Sequence, residues 1–385
     1  MANNGNPFTP AFGTSPPVLA GRDSILADWD SALEAGPRHP DYTLLFLGMR
    51  GAGKTAMLNA VEDRARLRGW VTISEDSTHP GFLSRVTKAA ISLLTDFDPA
   101  RIRGQVTGMR VASLGIDFER RPIPEPSQDL RAVLTQLADL LQPTGAGLLI
   151  TIDEMQGADV DEIRRFASII QHVTRREERP VAFVGAGLPE IEDRFLSGDA
   201  VTFLQRCARR DIGPLDDQAT ATALALPIRD LNASITSDAL DAAVRAVSGY
   251  AFMTQLVGFH MWKAAADPFA GITSREAAAG IAEAKMQMAR LVLEPIWKTL
   301  SDMDRRFLLA MTQDSEESQL AEIASRIERN VGYAGVYRRR LIQKGMIVPV
   351  RHGWIAFAHH STRGWLKQLP LYGTRQPSGP LRRAD

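Results

Sequence analysis

At 385 residues the chain is too long for one ordinary hydrophobic core and fits two or three domains. Hydrophobic residues at 44% and charged residues at 23% exclude wholesale disorder and a fibrous repeat; no run approaches about 18 uninterrupted apolar residues, and Met1 to Pro10 lacks the basic and apolar parts of a secretion signal, so a cytoplasmic protein without a membrane partner is expected. The net charge of zero hides an asymmetry, because Arg326 to Asp385 holds 12 Lys and Arg against 2 acids and leaves an acidic body before it. Such a basic end suits nucleic-acid contact, and a solvated basic face accounts for it equally well. Cys207 is the single cysteine, which excludes an internal disulfide and reads as an ordinary core or surface thiol.

The first 20 residues, rich in Pro, Gly, Asn and Thr, predict an extended lead-in lying across the surface of the next domain. Ile25, Leu26, Trp29 and Leu33 recur at helical spacing and predict a helix over Asp23 to Leu33, with Asp23 or Ser24 as its cap. Tyr42 to Leu47 is a short apolar run suited to a buried parallel strand, and a helix is expected from Ala56 to Gly69. A strand at Trp70 to Ser74, a helix at Pro80 to Thr95, a hairpin between Val106 and Pro124 and a helix at Ser127 to Leu141 come next. Gly147 to Ile152 and Pro180 to Val184 read as further strands flanking a helix at Val160 to Arg176. Strands alternating with helices over roughly 200 residues predict a mostly parallel, doubly wound α/β sheet.

Beyond Pro214 the strand signal stops, and helices near 216–231, 237–248, 251–266 and 274–293 predict an all-helical lid. After Ser301 come helices and then the alternating pair Met346 to Val350 and Trp354 to Phe357, the pattern of a winged helix. The expected boundaries are a lead-in at 1–20, a nucleotide-binding core at 21–214, a lid at 215–293, a winged-helix domain at 294–370 and a flexible tail at 371–385.

Between the first strand and the second helix stands Gly48-Met49-Arg50-Gly51-Ala52-Gly53-Lys54-Thr55, which matches G-x-x-x-x-G-K-[ST]. Each fixed position has a physical reason. Glycines let the chain wrap phosphate oxygens without Cβ clashes, so that successive N–H groups and the positive end of the next helix, from Ala56, point at one anion. Lys54 is placed to reach the β and γ phosphates of ATP, and the Thr55 hydroxyl to ligate Mg²⁺. About a hundred residues on, the apolar run Leu148 to Ile152 ends in Asp153-Glu154. Asp153 is the second expected magnesium residue, and Glu154 the residue that orients and polarises an attacking water. The expected reaction is hydrolysis of ATP to ADP and phosphate.

With these motifs the chain resembles the AAA+ superfamily, in particular the origin-recognition-like and STAND-like ATPases with a helical lid and a winged helix. Three more segments carry the resemblance: Leu19-Ala-Gly21-Arg22-Asp23, which is similar to a box beside the adenine; Phe203 to Leu215 with Arg206, Arg209 and Arg210; and Ser248-Gly-Tyr-Ala-Phe252 to Gln255, similar to the opening of the lid helix. The resemblance implies that Gly21 and Arg22 help to bind the nucleotide. It also implies an arginine finger delivered by a neighbouring subunit, with Arg206 preferred over Arg209 and Arg210, and therefore a homo-oligomer. Gly185-Ala186 stands where many members carry a polar sensor, and Phe252, Met253 and Gln255 where many carry a sensor arginine, which implies a slow switch rather than a fast motor.

The basic end reads as helix, turn, helix over Gln319 to Ile327 and Gly332 to Lys344. Val336, Leu341 and Ile342 are expected in the core, leaving Arg338, Arg339 and Lys344 facing outward, with Arg351 and His352 at the wing tip. Double-stranded DNA is the expected partner of those five residues. The alternative is a signalling ATPase whose winged helix meets protein instead.

Overall fold

The structure, a computed structural model, describes residues 5–11, 13–95, 129–196 and 202–369. The hairpin expected between Val106 and Pro124 and the tail at 371–385 lie outside the described residues. The chain divides into two compact units, Met1–Ile281 and Ala282–Asp385.

The first unit is built on five parallel strands among the described residues: β1 (Thr43–Leu47), β2 (Val71–Asp76), β3 (Leu148–Asp153), β4 (Val181–Gly187) and β5 (Ala208–Asp211), in the spatial order β2-β3-β4-β1-β5. Period-two alternation decides which side chain serves which face. Leu44, Phe46, Leu149, Ala182 and Val184 point to one side, where α1 (Asp23–Ala35) and α2 (Lys54–Leu67) cover them with Trp29, Met57 and Val61. Leu45, Leu47, Ile150, Ile152 and Phe183 point to the other, against α3 (Phe82–Thr95), α4 (Leu130–Leu141) and α5 (Val160–Ile170). Each such fully buried large side chain contributes about 1.5–3 kcal/mol, so a strand covered on both faces is predominantly apolar, as β1 is from Leu44 to Leu47.

Two expectations need correction here. Helix α1 begins under Arg22, which makes no side-chain capping bond; Asp23 already lies inside the first turn, where its charge meets the helix dipole instead. Strand β5 has no counterpart in the sequence reading, because Ala208-Arg209-Arg210-Asp211 is polar and lies at the sheet edge beside β1, where pairing does not demand an apolar pattern. The lid helices follow as α7 (Asp217–Asp230), α8 (Ser237–Val247), α9 (Ala251–Ala264) and α10 (Ser274–Met288), after the single turn α6 (Thr202–Gln205).

In the second unit α11 (Glu294–Lys298), α12 (Asp302–Met311), α13 (Leu320–Arg326), α14 (Val331–Gln343) and α15 (Ser361–Gln368) surround an antiparallel sheet of β6 (Glu317–Gln319), β7 (Ile347–Arg351) and β8 (Trp354–Phe357), ordered β6-β8-β7. Its own core is formed by Phe307, Leu308, Ile323, Leu341, Ile347 and Ile355 among others. Ser301 and Asp304 form a reciprocal capping box at the start of α12, and the fully buried Asp304 also accepts from Arg340 of α14 at 3.0 Å. Val336, expected in the core, is instead 55% exposed, because Ala334 and Leu341 carry the inward face of α14.

Candidate nucleotide site

In an open parallel sheet the ligand crevice lies beyond the carboxyl ends of the strands. Here β1, β3 and β4 end side by side at Leu47, Asp153 and Gly187. The loop leaving β1 takes left-handed backbone at Gly51 (φ 74°) and Gly53 (φ 99°), which turns it back toward the start of α2. A Cβ on Gly51 would fall 2.0 Å from the Tyr250 hydroxyl, so this glycine is required by packing as well as by conformation. The lid presses on the same loop through the main chain, where the Phe252 N–H donates to the Gly51 carbonyl at 3.2 Å.

Lys54 opens α2 and is buried, 5% exposed, with its ammonium donating to the carbonyls of Gly48 and Met49 at 3.0 and 3.1 Å. Burial pushes its pKa below the ordinary value, while the charges of Glu154 and Asp153 pull it back up. The Thr55 hydroxyl donates to Asp153 Oδ2 at 2.6 Å, joining the phosphate loop to the tip of β3. The other oxygen of Asp153 accepts the Glu154 N–H at 2.7 Å. Glu154 itself holds φ 52°, a left-handed conformation that non-glycine residues adopt only where their surroundings enforce it.

These groups line one end of a cavity of about 720 Å³, a size typical of small-molecule sites. Of the expected nucleotide residues, Arg22 and Arg50 through Ala56 line it. Gly21, Gly48 and Met49 are not among the lining residues: Gly21 packs on Ala219, Gly48 on the Ile212 carbonyl, and the Met49 carbonyl binds Lys54. Arg22 is buried and donates to the Gly213 carbonyl, and burial lowers its pKa. The lead-in is more than a surface strap. Phe8 is 2% exposed against Gly258 of α9, the Thr9 N–H donates to Gln255 Oε1 at 3.1 Å, and Thr9, Ala11, Thr14, Pro16 and Val18 are among the lead-in residues that wall the cavity. Sequence reasoning missed this wall because Phe8 is one apolar residue in a stretch with no periodicity.

Sequence reasoning also missed Gln156. Its side chain lies between Glu154 and the end of β4, donating to the Glu154 carboxylate and accepting the Leu188 N–H at 3.1 Å. The signal was present only as a glutamine two residues beyond the acid pair.

Arg206 lies outside the cavity lining, is exposed, and its side chain has no partner among the described residues. Arg209 pairs with Glu192 at 3.5 Å, and Arg210 with Asp41 and Asp28 at 2.6 and 3.1 Å. Cys207 is a buried core thiol, pushed up to about 12 by burial, which disfavours the thiolate. In the second unit the five expected DNA residues part company. Arg339 and His352 are exposed; Arg338 is half-buried with a buried Nε; Lys344 donates to Thr299 at 3.0 Å; Arg351 pairs with Glu317 at 2.5 Å and lies over the Trp354 ring. Among the described residues no helix is long and apolar enough to cross a membrane.

Residues 18–184 match the AAA ATPase domain family, and residues 290–366 match a domain of unknown function, DUF8462. No curated protein matches the sequence. Among solved structures, a Walker-type ATPase of Pyrococcus abyssi superposes with a TM-score of 0.65 at 14% identity, covering 92% of this chain and 97% of that one. The ORC2 protein of Aeropyrum pernix, solved as ADPNP-ADP complexes, gives a TM-score of 0.59 at 13% identity, covering 93% and 94%. At such identities the likeness speaks for the fold. The family match supplies the rest: residues 18–184 match an AAA ATPase domain, and the activity that match supports is ATP hydrolysis.

Proposed function

We propose that the chain is a slow ATP-driven switch whose C-terminal unit is a winged helix that grips duplex DNA. The observation that carries the catalytic half is the meeting of Lys54, Thr55, Asp153 and Glu154 at one end of a single cavity. Lys54 and the loop N–H groups bind and orient the phosphates, and Glu154 accepts the proton of the attacking water. The Thr55 hydroxyl and the Asp153 carboxylate, 2.6 Å apart, are hard oxygen donors of the kind Mg²⁺ takes. Bound there, Mg²⁺ would neutralise charge on the phosphates.

Slow turnover follows from what faces the phosphates. Strand β4 ends in Gly185-Ala186-Gly187, and α9 offers Phe252 and Gln255 to the cavity rather than an arginine. Arg206, exposed and without a side-chain partner among the described residues, supports a finger donated to a neighbouring copy, making hydrolysis depend on assembly. DNA binding rests on α14, whose Arg338, Arg339 and Arg340 stand without an acid on the same helix, and on the excess of 12 bases over 2 acids from Arg326 onward. Val331, Tyr333 and Val336, all exposed on α14, favour the second reading, in which this unit meets a protein.

The test is phosphate release by the purified chain with and without duplex DNA, beside duplex binding at rising salt. ATP hydrolysis lost in Glu154→Gln, with DNA affinity falling steeply as salt rises, is the expected result. Salt-insensitive or absent duplex binding would leave the ATPase standing and overturn the DNA role.

A further inference from the structure

We infer that Gln156 is a positioning residue for Glu154, deciding which of its carboxylate oxygens meets the attacking water; this rests on the reading of Glu154 as the base. Gln156 sits in the single turn Met155–Gly157 that follows the acid pair. Its amide oxygen accepts the Leu188 N–H at 3.1 Å, just beyond β4, and that bond settles the orientation of the amide. The nitrogen must then face the other way, where it donates to Glu154 Oε2. The assignment is chemically forced, since a main-chain N–H needs an acceptor and an ionised carboxylate needs a donor.

The space for this side chain is built into the sheet. A Cβ on Gly187 would lie 3.1 Å from Gln156 Oε1 and 3.0 Å from Ile191, so even an alanine there would crowd the amide. The turn is held from outside as well, because Arg194 donates to the carbonyls of Gln156 and Ala158, the latter at 2.9 Å. From the β2 side the Ser77 hydroxyl lies 3.1 and 3.0 Å from the carbonyls of Asp153 and Glu154. The Glu154 backbone, already in a rare conformation, is therefore pinned on both sides of its carboxylate.

Oε2 is engaged by the amide, which leaves Oε1 to take a proton from water. A neutral donor suits this task. It stops rotation about the last side-chain bond without adding the positive charge that would make the carboxylate a weaker base. Gln156 thus ties the acid pair to the main chain just past the end of β4.

The experiment uses the full chain with steady-state phosphate release, binding of labelled ATP, and melting temperature in Gln156→Ala, Gln156→Glu and Glu154→Gln. Gln156→Ala should lower kcat roughly ten- to a hundredfold while ATP affinity stays within about twofold, since only the orientation of the base is lost. Gln156→Glu, nearly the same size, replaces the amide donor by a second carboxylate and should lower kcat at least as far, again with ATP affinity within about twofold. A merely structural glutamine would lower the melting temperature and leave kcat of the folded enzyme in place. Unchanged or raised kcat in Gln156→Ala or Gln156→Glu overturns the inference while the base assignment survives. Undiminished hydrolysis by Glu154→Gln would overturn both at once.

Discussion

The phosphate loop and helix α14 are both glycine-bearing, basic segments, yet folding treats them differently. Around the loop the side chains converge: Lys54 turns onto the carbonyls of Gly48 and Met49, Thr55 closes on Asp153, and Gln156 braces Glu154. On α14 and the β7-β8 pair the cations disperse, Arg340 to buried Asp304, Lys344 to Thr299, Arg351 to Glu317 and Trp354. The loop is dictated by main-chain geometry, which allows one arrangement of amides around an anion. A count of arginines dictates nothing comparable, because a long cationic side chain settles on whichever acid or carbonyl lies within reach.

This contrast can be broken most sharply at Lys54. Lys54→Ala should reduce phosphate release by about a thousandfold or more, since it removes the fixed charge on the transferring phosphoryl group. Circular dichroism should remain that of the folded chain, and residual hydrolysis near the native rate would mean the loop does not hold the triphosphate. Arg206→Ala should cost on the order of a hundred- to a thousandfold while leaving ATP binding intact. Mixing it with Lys54→Ala chains, which keep the arginine, should restore part of the rate; no recovery would remove the donated finger.

The second unit offers smaller effects. His359 is 5% exposed, and burial pushes its pKa down to about 4 from an unfolded value near 6.5. The unfolded chain therefore binds the proton first. The contribution is fully present above about pH 6.5 and is lost as pH falls through about 4, a difference of about 3 kcal/mol. Denaturation of the second unit followed across pH 4–7 should show this slope, flattened in His359→Gln. Smallest of all, Arg339→Ala should weaken duplex binding by about 1 kcal/mol and lower the salt slope by about one unit, whereas Arg351→Ala, already paired with Glu317, should change it less. Equal effects from the two would show that Arg351 gives up its ion pair on binding.

Much of the fold was legible because apolar strands covered on both faces announce themselves, as Leu148 to Ile152 does beside Asp153-Glu154. The helices of the lid and the β7-β8 pair were legible for the same reason of period. Strand β5 was not, being short, charged and at an edge, nor was the burial of Phe8, whose partner Gly258 lies far along the chain. Val336 misled because an apolar residue on a helix is inside only if its face is, and that depends on what packs there.

From residues alone one could derive the glycine-rich loop, the acid pair at the end of β3 and the α/β frame, since each is a local pattern whose chemistry demands fixed spacing. Tertiary structure alone decided which cations stay free, that the lead-in walls the cavity, and that Gln156 is held by Leu188 beyond the end of β4. Those outcomes hang on distances between segments remote in the chain, which no local pattern encodes.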